Sequence, residues 1–189
     1  MESPRVSLVV SWAQRQSTRS IDGAMELHTA SPSETREVAA AVARLARSGD
    51  IVLLTGDMGA GKTVFAQGFG AALGVAEPMT SPTFTLVNSY ECGSVTLHHA
   101  DLYRLERTGE VADLALAELA EFSGVLLVEW GEAAAATVRD HLEVHIDVDD
   151  VDVDAFDDVT GRTIEISATG TSWAQRYGRL TEALSRFAC

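Results

Sequence analysis

Two patterns of apolar residues alternate along most of the chain. Short runs of consecutive apolar residues, "IVLL" from Ile51 and "GVLLVEW" from Gly124, are typical of strands buried on both faces. Other segments place apolar residues at helical spacing, and the first of these has Val38, Val42 and Leu45 on one side. Helices interleaved with buried strands predict an α/β protein, a three-layer sandwich whose mixed, mostly parallel sheet carries helices on both faces.

The first helix has clear signals at its start. Ser31 is a good N-cap, Pro32 suits the first helical position, and Glu34 completes a capping box. Gly49 can end this helix in a left-handed conformation. The spacing also predicts helices over 62–73, 110–122 and 172–187, the first of them stopped by Gly74. Strands are predicted over 84–90, 95–100, 141–148 and 162–167. In the strand over 141–148, alternate residues through Val148 face inward, and an Asp-rich turn connects this strand to its partner over 162–167.

Length, charge and cysteine content narrow the class of protein. The 189 residues suit one domain, expected over 25–189, with 1–24 either a disordered extension or sequence upstream of a start at Met25. The net charge of −14 disfavours a stand-alone binder of DNA or RNA, because such affinity comes largely from Lys and Arg. Cys92 and Cys189 are far apart, and no apolar run approaches the ~20 residues of a membrane span, so we expect a cytoplasmic protein without disulfides.

The segment "GDMGAGKT" carries the most specific chemistry. It matches G-x-x-x-x-G-K-[ST], in which glycines let the backbone wrap a phosphate and the following helix directs its N–H groups at the anion. The alternative is an ordinary Gly-rich turn, but a buried strand precedes the segment and an amphipathic helix follows it, as the motif requires. The loop therefore predicts binding of a nucleotide with Mg²⁺ through Gly56, Asp57, Met58, Gly59, Ala60, Gly61, Lys62 and Thr63.

The single lysine of the chain supports this interpretation. Lys and Arg together number 14, and Lys62 is the only lysine among them. A chain that otherwise uses arginine has placed its one compact ammonium group inside the Gly-rich loop, where a point charge suits phosphate oxygens. The hydroxyl of Thr63 is then in place to ligate Mg²⁺.

Two carboxylates follow the ends of predicted strands. Glu129, in "VLLVEWGE", can hold Mg²⁺ or polarise an attacking water, and the alternative is a surface residue that caps the strand. Asp101, in "HHADLYRL", is either functional or an ordinary N-cap. The segment "TSPTFT" offers Ser81 and Thr83, whose hydroxyls could sense a γ-phosphate through Mg²⁺ or belong to an ordinary loop.

Several other classes of protein and site are disfavoured. A small GTPase needs a guanine-binding NKxD motif, and an ABC-type ATPase needs an LSGGQ-like segment; the sequence has neither. A nucleoside kinase needs an Arg-rich lid, whereas the arginines after Glu129 are scattered. His98 and His99 are adjacent in a predicted strand, so their side chains point to opposite faces and are not expected to share a metal.

Taken together, "GDMGAGKT", "SPTFTLV", "HHADLYRL" and "VLLVEWGE" resemble the TsaE family in order and spacing over about residues 25 to 170. The resemblance implies a bacterial P-loop ATPase of the pathway that makes threonylcarbamoyladenosine in tRNA. It implies action with the proteins TsaB and TsaD, which modify the adenosine beside the anticodon in tRNAs that decode codons beginning with A. Contact with tRNA is then expected only through the complex.

The same resemblance implies roles for particular residues. Thr63 and Glu129 are similar to Mg²⁺ ligands, and Asp101 to a second catalytic carboxylate. Thr83 and Ser81 fall in a switch-like loop, and Trp130 resembles a functionally sensitive tryptophan beside the metal carboxylate. We expect Thr83 and Trp130 at the nucleotide. Hydrolysis is expected to drive or reset the partner complex rather than to perform the transfer.

The residues also leave two other functions open. One is a small-molecule kinase of the P-loop superfamily, and the other is a nucleotide-gated binding module in which ATP binding alone suffices. No arginine is clearly placed as a finger in cis, with Arg104 the candidate. An arginine finger is worth about 10³- to 10⁵-fold in rate, so we expect slow hydrolysis without partners.

Overall fold

A computed structural model of the chain describes residues 23–105, 115–121, 123–149 and 161–189. Its seven strands form one sheet in the order β1-β7-β6-β2-β5-β4-β3. The four strands from β6 to β4 are parallel to one another, whereas the outer pairs are antiparallel. The strands are β1 (Met25–Thr29), β2 (Ile51–Thr55), β3 (Val87–Cys92), β4 (Val95–Asp101), β5 (Gly124–Glu129), β6 (His141–Val148) and β7 (Arg162–Thr169).

Helices cover both faces of this sheet, which confirms the predicted α/β sandwich. Among the described residues they are α1 (Pro32–Leu45), α2 (Lys62–Leu73), α3 (Leu116–Ala120) and α4 (Ala174–Leu184), with 3₁₀ turns at Gly131–Ala133 and Ser185–Phe187. In the described ranges, no helix has the length and apolar character needed to span a bilayer.

Strand β2 shows why a continuous apolar run forms a central strand. Its side chains alternate between faces, with Val52 and Leu54 in one hydrophobic cluster and Ile51 and Leu53 in another. Residues of α1, α2 and α4 complete the first cluster, and residues of α3 and of the turn after β5 complete the second. Because both faces are covered, every residue of β2 is buried.

Helix α1 begins where predicted but ends four residues before Gly49. The Ser31 hydroxyl accepts a hydrogen bond from the Glu34 amide at 3.2 Å, as a capping residue should. The helix stops at Leu45, because the buried Asp50 carboxylate accepts the Arg47 amide at 2.6 Å and folds the chain back before the strand. Gly49 does adopt a positive φ of 91°, but it does so inside this turn rather than as the cap of the helix.

Two further expectations need correction. Strand β3 begins at Val87 rather than at residue 84, because the Leu86 amide donates to the Pro82 carbonyl at 2.7 Å and closes a turn. Val148 is 42% exposed, because it ends β6 beyond the cover of the helices. The predicted extension over 1–24 and helix over 110–122 lie partly outside the described residues, as does most of the Asp-rich turn.

A buried ion pair fastens α4 to the start of β2. The Arg176 guanidinium donates to both carboxylate oxygens of Asp50, at 2.6 and 2.7 Å, and to the Leu45 carbonyl at 2.6 Å. Its central carbon, Cζ, lies 4.2 Å from the ring centroid of Trp173. The pair therefore joins the ends of α1, β2 and α4 through charge-assisted bonds.

Replacing Arg176 with methionine is expected to lower the free energy of unfolding by about 3 kcal/mol, because Asp50 would remain buried and uncompensated. Arg179 lies on the exposed side of the same helix, so Arg179→Met should change stability by less than about 0.5 kcal/mol. Urea unfolding at neutral pH measures both values. Equal losses in the two variants would contradict a special role for the pair.

Candidate functional site

The Gly-rich loop joins β2 to α2 and places its backbone at the start of that helix. Gly56, Gly59 and Gly61 all have positive φ, at 120°, 83° and 118°. A Cβ atom at Gly56 would collide with the carbonyl oxygen of Ile146, so the loop packs directly on the neighbouring strand β6. Glycine is therefore needed here both for backbone conformation and for close approach.

Lys62 is the first residue of α2, and its side chain turns back into the loop. The ammonium group donates to the carbonyls of Gly56 at 2.6 Å and Asp57 at 2.8 Å. It also lies 3.8 Å from the centroid of the Trp130 ring. Burial lowers the pKa of Lys62, and the nearby carboxylates of Glu132 and others oppose that shift. The only lysine of the chain thus sits at the centre of the loop, as the sequence predicted.

Thr63 and Glu129 meet across the cleft. The Thr63 hydroxyl donates toward both carboxylate oxygens of Glu129, at 3.1 and 2.9 Å. Glu129 ends the buried strand β5 and is only 3% exposed. A hydroxyl and a carboxylate this close offer the hard oxygen ligands that Mg²⁺ prefers.

Asp101 ends β4 beside Glu129, since the two residues are register partners of adjacent parallel strands. Its carboxylate accepts hydrogen bonds from the hydroxyls of Ser81 and of Thr83, the latter at 2.8 Å. It also accepts the Tyr103 amide at 2.9 Å, as a local cap does. Both sequence interpretations of Asp101 therefore describe real contacts: the residue caps a turn and also ties the 81–83 loop to the site.

These side chains line one cleft of about 480 Å³. Ten of the candidate residues from the sequence line it, namely Met58, Gly59, Gly61, Lys62, Thr63, Ser81, Thr83, Asp101, Glu129 and Trp130. Gly56, Asp57 and Ala60 do not line it and form the back of the loop instead. Arg104 is also absent from the lining, and its guanidinium stacks on the Phe84 ring at 4.4 Å from the centroid.

The sequence prediction missed Val64 and Tyr103, which line the cleft, and three residues that contact the loop or Glu129. Glu132 accepts the Gly56 amide at 3.0 Å, and Arg162 donates to the Ala60 carbonyl at 2.8 Å, so both hold the loop from behind. His99 is fully buried, and its Nε2 lies 2.9 Å from Oε1 of Glu129. Glu132 stands in the "VLLVEWGE" motif and His99 in "HHADLYRL", but only strand register and loop packing show what they contact.

The residues present fit a magnesium-bound nucleotide. The loop needs glycine at its closest approach, and its ammonium group faces the cleft rather than bulk solvent. The described residues hold no cluster of three or more His, Cys, Asp or Glu side chains suited to a metal. Mg²⁺ bound with nucleotide needs no such cluster, because it takes most of its ligands from phosphates and water.

The parallel strands therefore deliver a glycine loop, a lysine, a hydroxyl and two carboxylates to the same edge of the sheet. That combination defines the chain as a P-loop nucleotide-binding protein. A family model described as "Threonylcarbamoyl adenosine biosynthesis protein TsaE" matches residues 29–155. The chain belongs to the TsaE family.

Individual relatives agree with this assignment. The tRNA threonylcarbamoyladenosine biosynthesis protein TsaE of Bacillus subtilis (strain 168) is 37% identical over 163 residues, which cover 86% of this chain and 94% of that protein. The TsaE of Streptomyces coelicolor is 34% identical over 74% of this chain and 93% of its own. The crystal structure of Bacillus subtilis YdiB has a TM-score of 0.66 and 33% identity, and covers 89% of this chain and 98% of that one.

Proposed function

We propose that this protein is a Mg²⁺-dependent ATPase that acts in the formation of threonylcarbamoyladenosine in tRNA. The observation that carries the proposal is the meeting of Lys62 and Thr63, at the start of α2, with Glu129 at the end of β5. The relatives in Bacillus and Streptomyces are named for the same tRNA modification, which supports the pathway. ATP as the nucleotide, and TsaB and TsaD as partners, belong to the proposal through the family resemblance.

Each residue of the cleft has a task in this proposal. Loop amides and the Lys62 ammonium hold the phosphates, while Thr63 and Glu129 hold the metal ion. Bound Mg²⁺ supplies electrostatic stabilisation of the charge that develops during phosphoryl transfer. Asp101 and Glu129 orient the attacking water, and Trp130 packs over the lysine and keeps its ammonium group in the cleft.

The hydrogen bonds of Asp101 give the site a way to signal its nucleotide state. They tie Ser81 and Thr83 to the end of β4, so a change in charge at the cleft can rearrange the loop that contains them. The next residue of that loop, Phe84, is 85% exposed and projects a large apolar ring into solvent. We propose that the TsaB and TsaD complex docks on this loop and that hydrolysis changes its affinity.

Exposed apolar side chains around the cleft support docking there. Four large hydrophobic residues are exposed in the described chain, and three of them, Met58, Phe84 and Tyr103, belong to the cleft or to the loop beside it. The net charge of −14 disfavours independent tRNA binding, so we propose that tRNA is contacted through the complex. Strong, salt-sensitive tRNA binding by the isolated chain would contradict that part.

The proposal is tested by ATP hydrolysis with and without TsaB and TsaD. We expect slow phosphate release alone and at least about 10-fold faster release with the partners, because a missing arginine finger alone can account for more. Phe84→Ser should keep the slow rate but lose most of the stimulation. Ala72→Ser, at an exposed alanine in the last turn of α2 and so at the opposite end of that helix from the cleft, should behave like the wild type.

Three results would count against this scheme. Full turnover by the isolated protein would remove the need for partners. Undiminished stimulation of Phe84→Ser would remove the docking role of the loop. Transfer of the γ-phosphate to an added nucleoside or metabolite, in place of phosphate release, would favour a small-molecule kinase.

A further inference from the structure

We propose that His99 is a positioning residue for the metal site, because its imidazole fixes the carboxylate of Glu129 from the buried side. The inference rests on the proposed function, since its purpose is to orient a ligand of Mg²⁺ bound with nucleotide. It also makes a claim about the protein without any ligand, namely that a hydrogen bond joins His99 to Glu129. The two claims can be measured separately.

Strand register explains why this histidine meets that carboxylate. In the parallel pair of β4 and β5, Asp101 is the partner of Glu129, and His99 is the partner of Leu127. Because side chains alternate along a strand, His99, Asp101 and Glu129 all face the side of the sheet that α2 covers. His98 points to the other face, where its Nδ1 lies 2.8 Å from the Ser89 hydroxyl.

The chemistry of the pair fixes the direction of the hydrogen bond. A carboxylate only accepts hydrogen bonds, so the His99 Nε2 that lies 2.9 Å from Oε1 of Glu129 must carry the proton. The other ring nitrogen, Nδ1, is buried and has no hydrogen-bond partner among the described residues. Burying a ring nitrogen without a hydrogen-bond partner costs free energy. An apolar side chain such as Leu97, the neighbouring inward-facing residue of the same strand, carries no such cost. The bond to Glu129 is what a histidine gains at this position.

That bond completes a fixed set of contacts around Glu129. Its Oε1 accepts from both His99 and Thr63, and its Oε2 accepts from Thr63. The imidazole therefore holds the carboxylate from the core, while the hydroxyl approaches from the cleft. Partners that orient a metal ligand in this way are typically worth about 10- to 100-fold in metal affinity or activity.

Two conservative variants separate positioning from packing. Glutamine can place an amide N–H near the position of Nε2, whereas asparagine is too short and places it nearer to Nδ1. Calorimetry gives the dissociation constant of a non-hydrolysable ATP analogue with and without Mg²⁺. The ratio of the two constants, by which Mg²⁺ tightens binding, is called the gain from Mg²⁺. In His99→Asn and His99→Leu the gain from Mg²⁺ should fall about 10- to 100-fold. His99→Gln should stay close to the wild type, and Mg²⁺-free binding should not change in any variant.

Controls exclude a general effect on the fold. His98→Gln and His98→Leu alter the adjacent residue on the opposite face and should leave the gain from Mg²⁺ unchanged. Thermal midpoints of all variants identify any that unfold. For the wild type without ligand, nitrogen chemical shifts of ¹⁵N-labelled histidine should show the proton of His99 on Nε2, which requires no substitution.

Three outcomes would overturn the proposal. One is a His99 ring without a proton on Nε2, the second is a wild-type gain from Mg²⁺ in folded His99→Leu and His99→Asn, and the third is an equal loss in the glutamine and asparagine variants. Failure of the wild type to bind any nucleotide would overturn the proposed function and this inference together. A wild type that binds Mg²⁺ with nucleotide, but with insensitive His99 variants, would overturn this inference alone.

Discussion

Replacing Glu129 with glutamine is expected to reduce ATP hydrolysis by about 10²- to 10⁴-fold while ATP still binds. The amide keeps the size of the side chain and one oxygen for the bonds from Thr63 and His99. It loses the negative charge that a ligand of Mg²⁺ or an orienter of water needs. Affinity for ATP without Mg²⁺ should hold, because the change removes a negative charge near the phosphates, whereas the tightening of binding by Mg²⁺ should weaken as it does in the His99 variants. Phosphate release with TsaB and TsaD, and calorimetry, measure the two effects.

The matched control lies just before the other end of the same strand. Glu121 is exposed and precedes β5, so Glu121→Gln makes the same chemical change away from the cleft and should leave both quantities unaltered. The variant also separates two classes of function. If tRNA modification continued in a Glu129→Gln protein that binds ATP without hydrolysing it, the chain would be a nucleotide-gated binding module rather than an ATPase.

The elements that the sequence predicted well are those with local causes. Helix α2 runs from Lys62 to Leu73 as expected, because a glycine loop must precede it and Gly74, with a φ of 97°, ends it. Strand β2 follows from a run of apolar residues that only a doubly covered strand can bury. In both cases the information lies within a few residues of the element, where patterns of spacing are visible.

The end of α1 was mispredicted because its cause is distant in sequence. Gly49 had the conformation expected of a helix cap, but Asp50 holds the turn, and Asp50 is itself fixed by Arg176, 126 residues further along. Spacing along a chain gives no sign of such a pair. A glycine at a plausible distance from a helix therefore predicts a left-handed residue, not the position of the last helical turn.

The candidate site divides in the same way. The loop and its lysine were predicted from eight adjacent residues, because phosphate binding by backbone amides is a local property. The contacts of His99 and Arg162 depend on which strands are neighbours and in what register, and the sequence does not state either. His99 nevertheless stands in one of the quoted motifs, two residues before Asp101. Because side chains alternate along a strand, this spacing places both residues on the same face, so the sequence did contain a signal that His99 lies near the site.

Removing the ammonium group of Lys62 is expected to produce the largest loss of nucleotide affinity. The group now makes two hydrogen bonds, to the carbonyls of Gly56 and Asp57, and can exchange them for phosphate oxygens. Two charge-assisted bonds are worth about 1.5 to 3 kcal/mol each, so Lys62→Met should weaken ATP binding by about 10²- to 10⁴-fold. Calorimetry with Mg²⁺ and ATP measures the affinity, and the thermal midpoint shows whether the loop still folds.

Lys62→Arg is the sharper variant, because it preserves the charge and changes only the shape of the cation. The wild-type ammonium fits beneath the Trp130 ring at 3.8 Å from its centroid and is 5% exposed, a space suited to a compact group. A planar guanidinium is larger and spreads its charge, so we expect Lys62→Arg to bind ATP nearly as poorly as Lys62→Met. Wild-type affinity in the arginine variant would show that a positive charge of either shape suffices. Phosphate binding would then not explain why the chain, whose other cations are arginines, has a lysine in this loop.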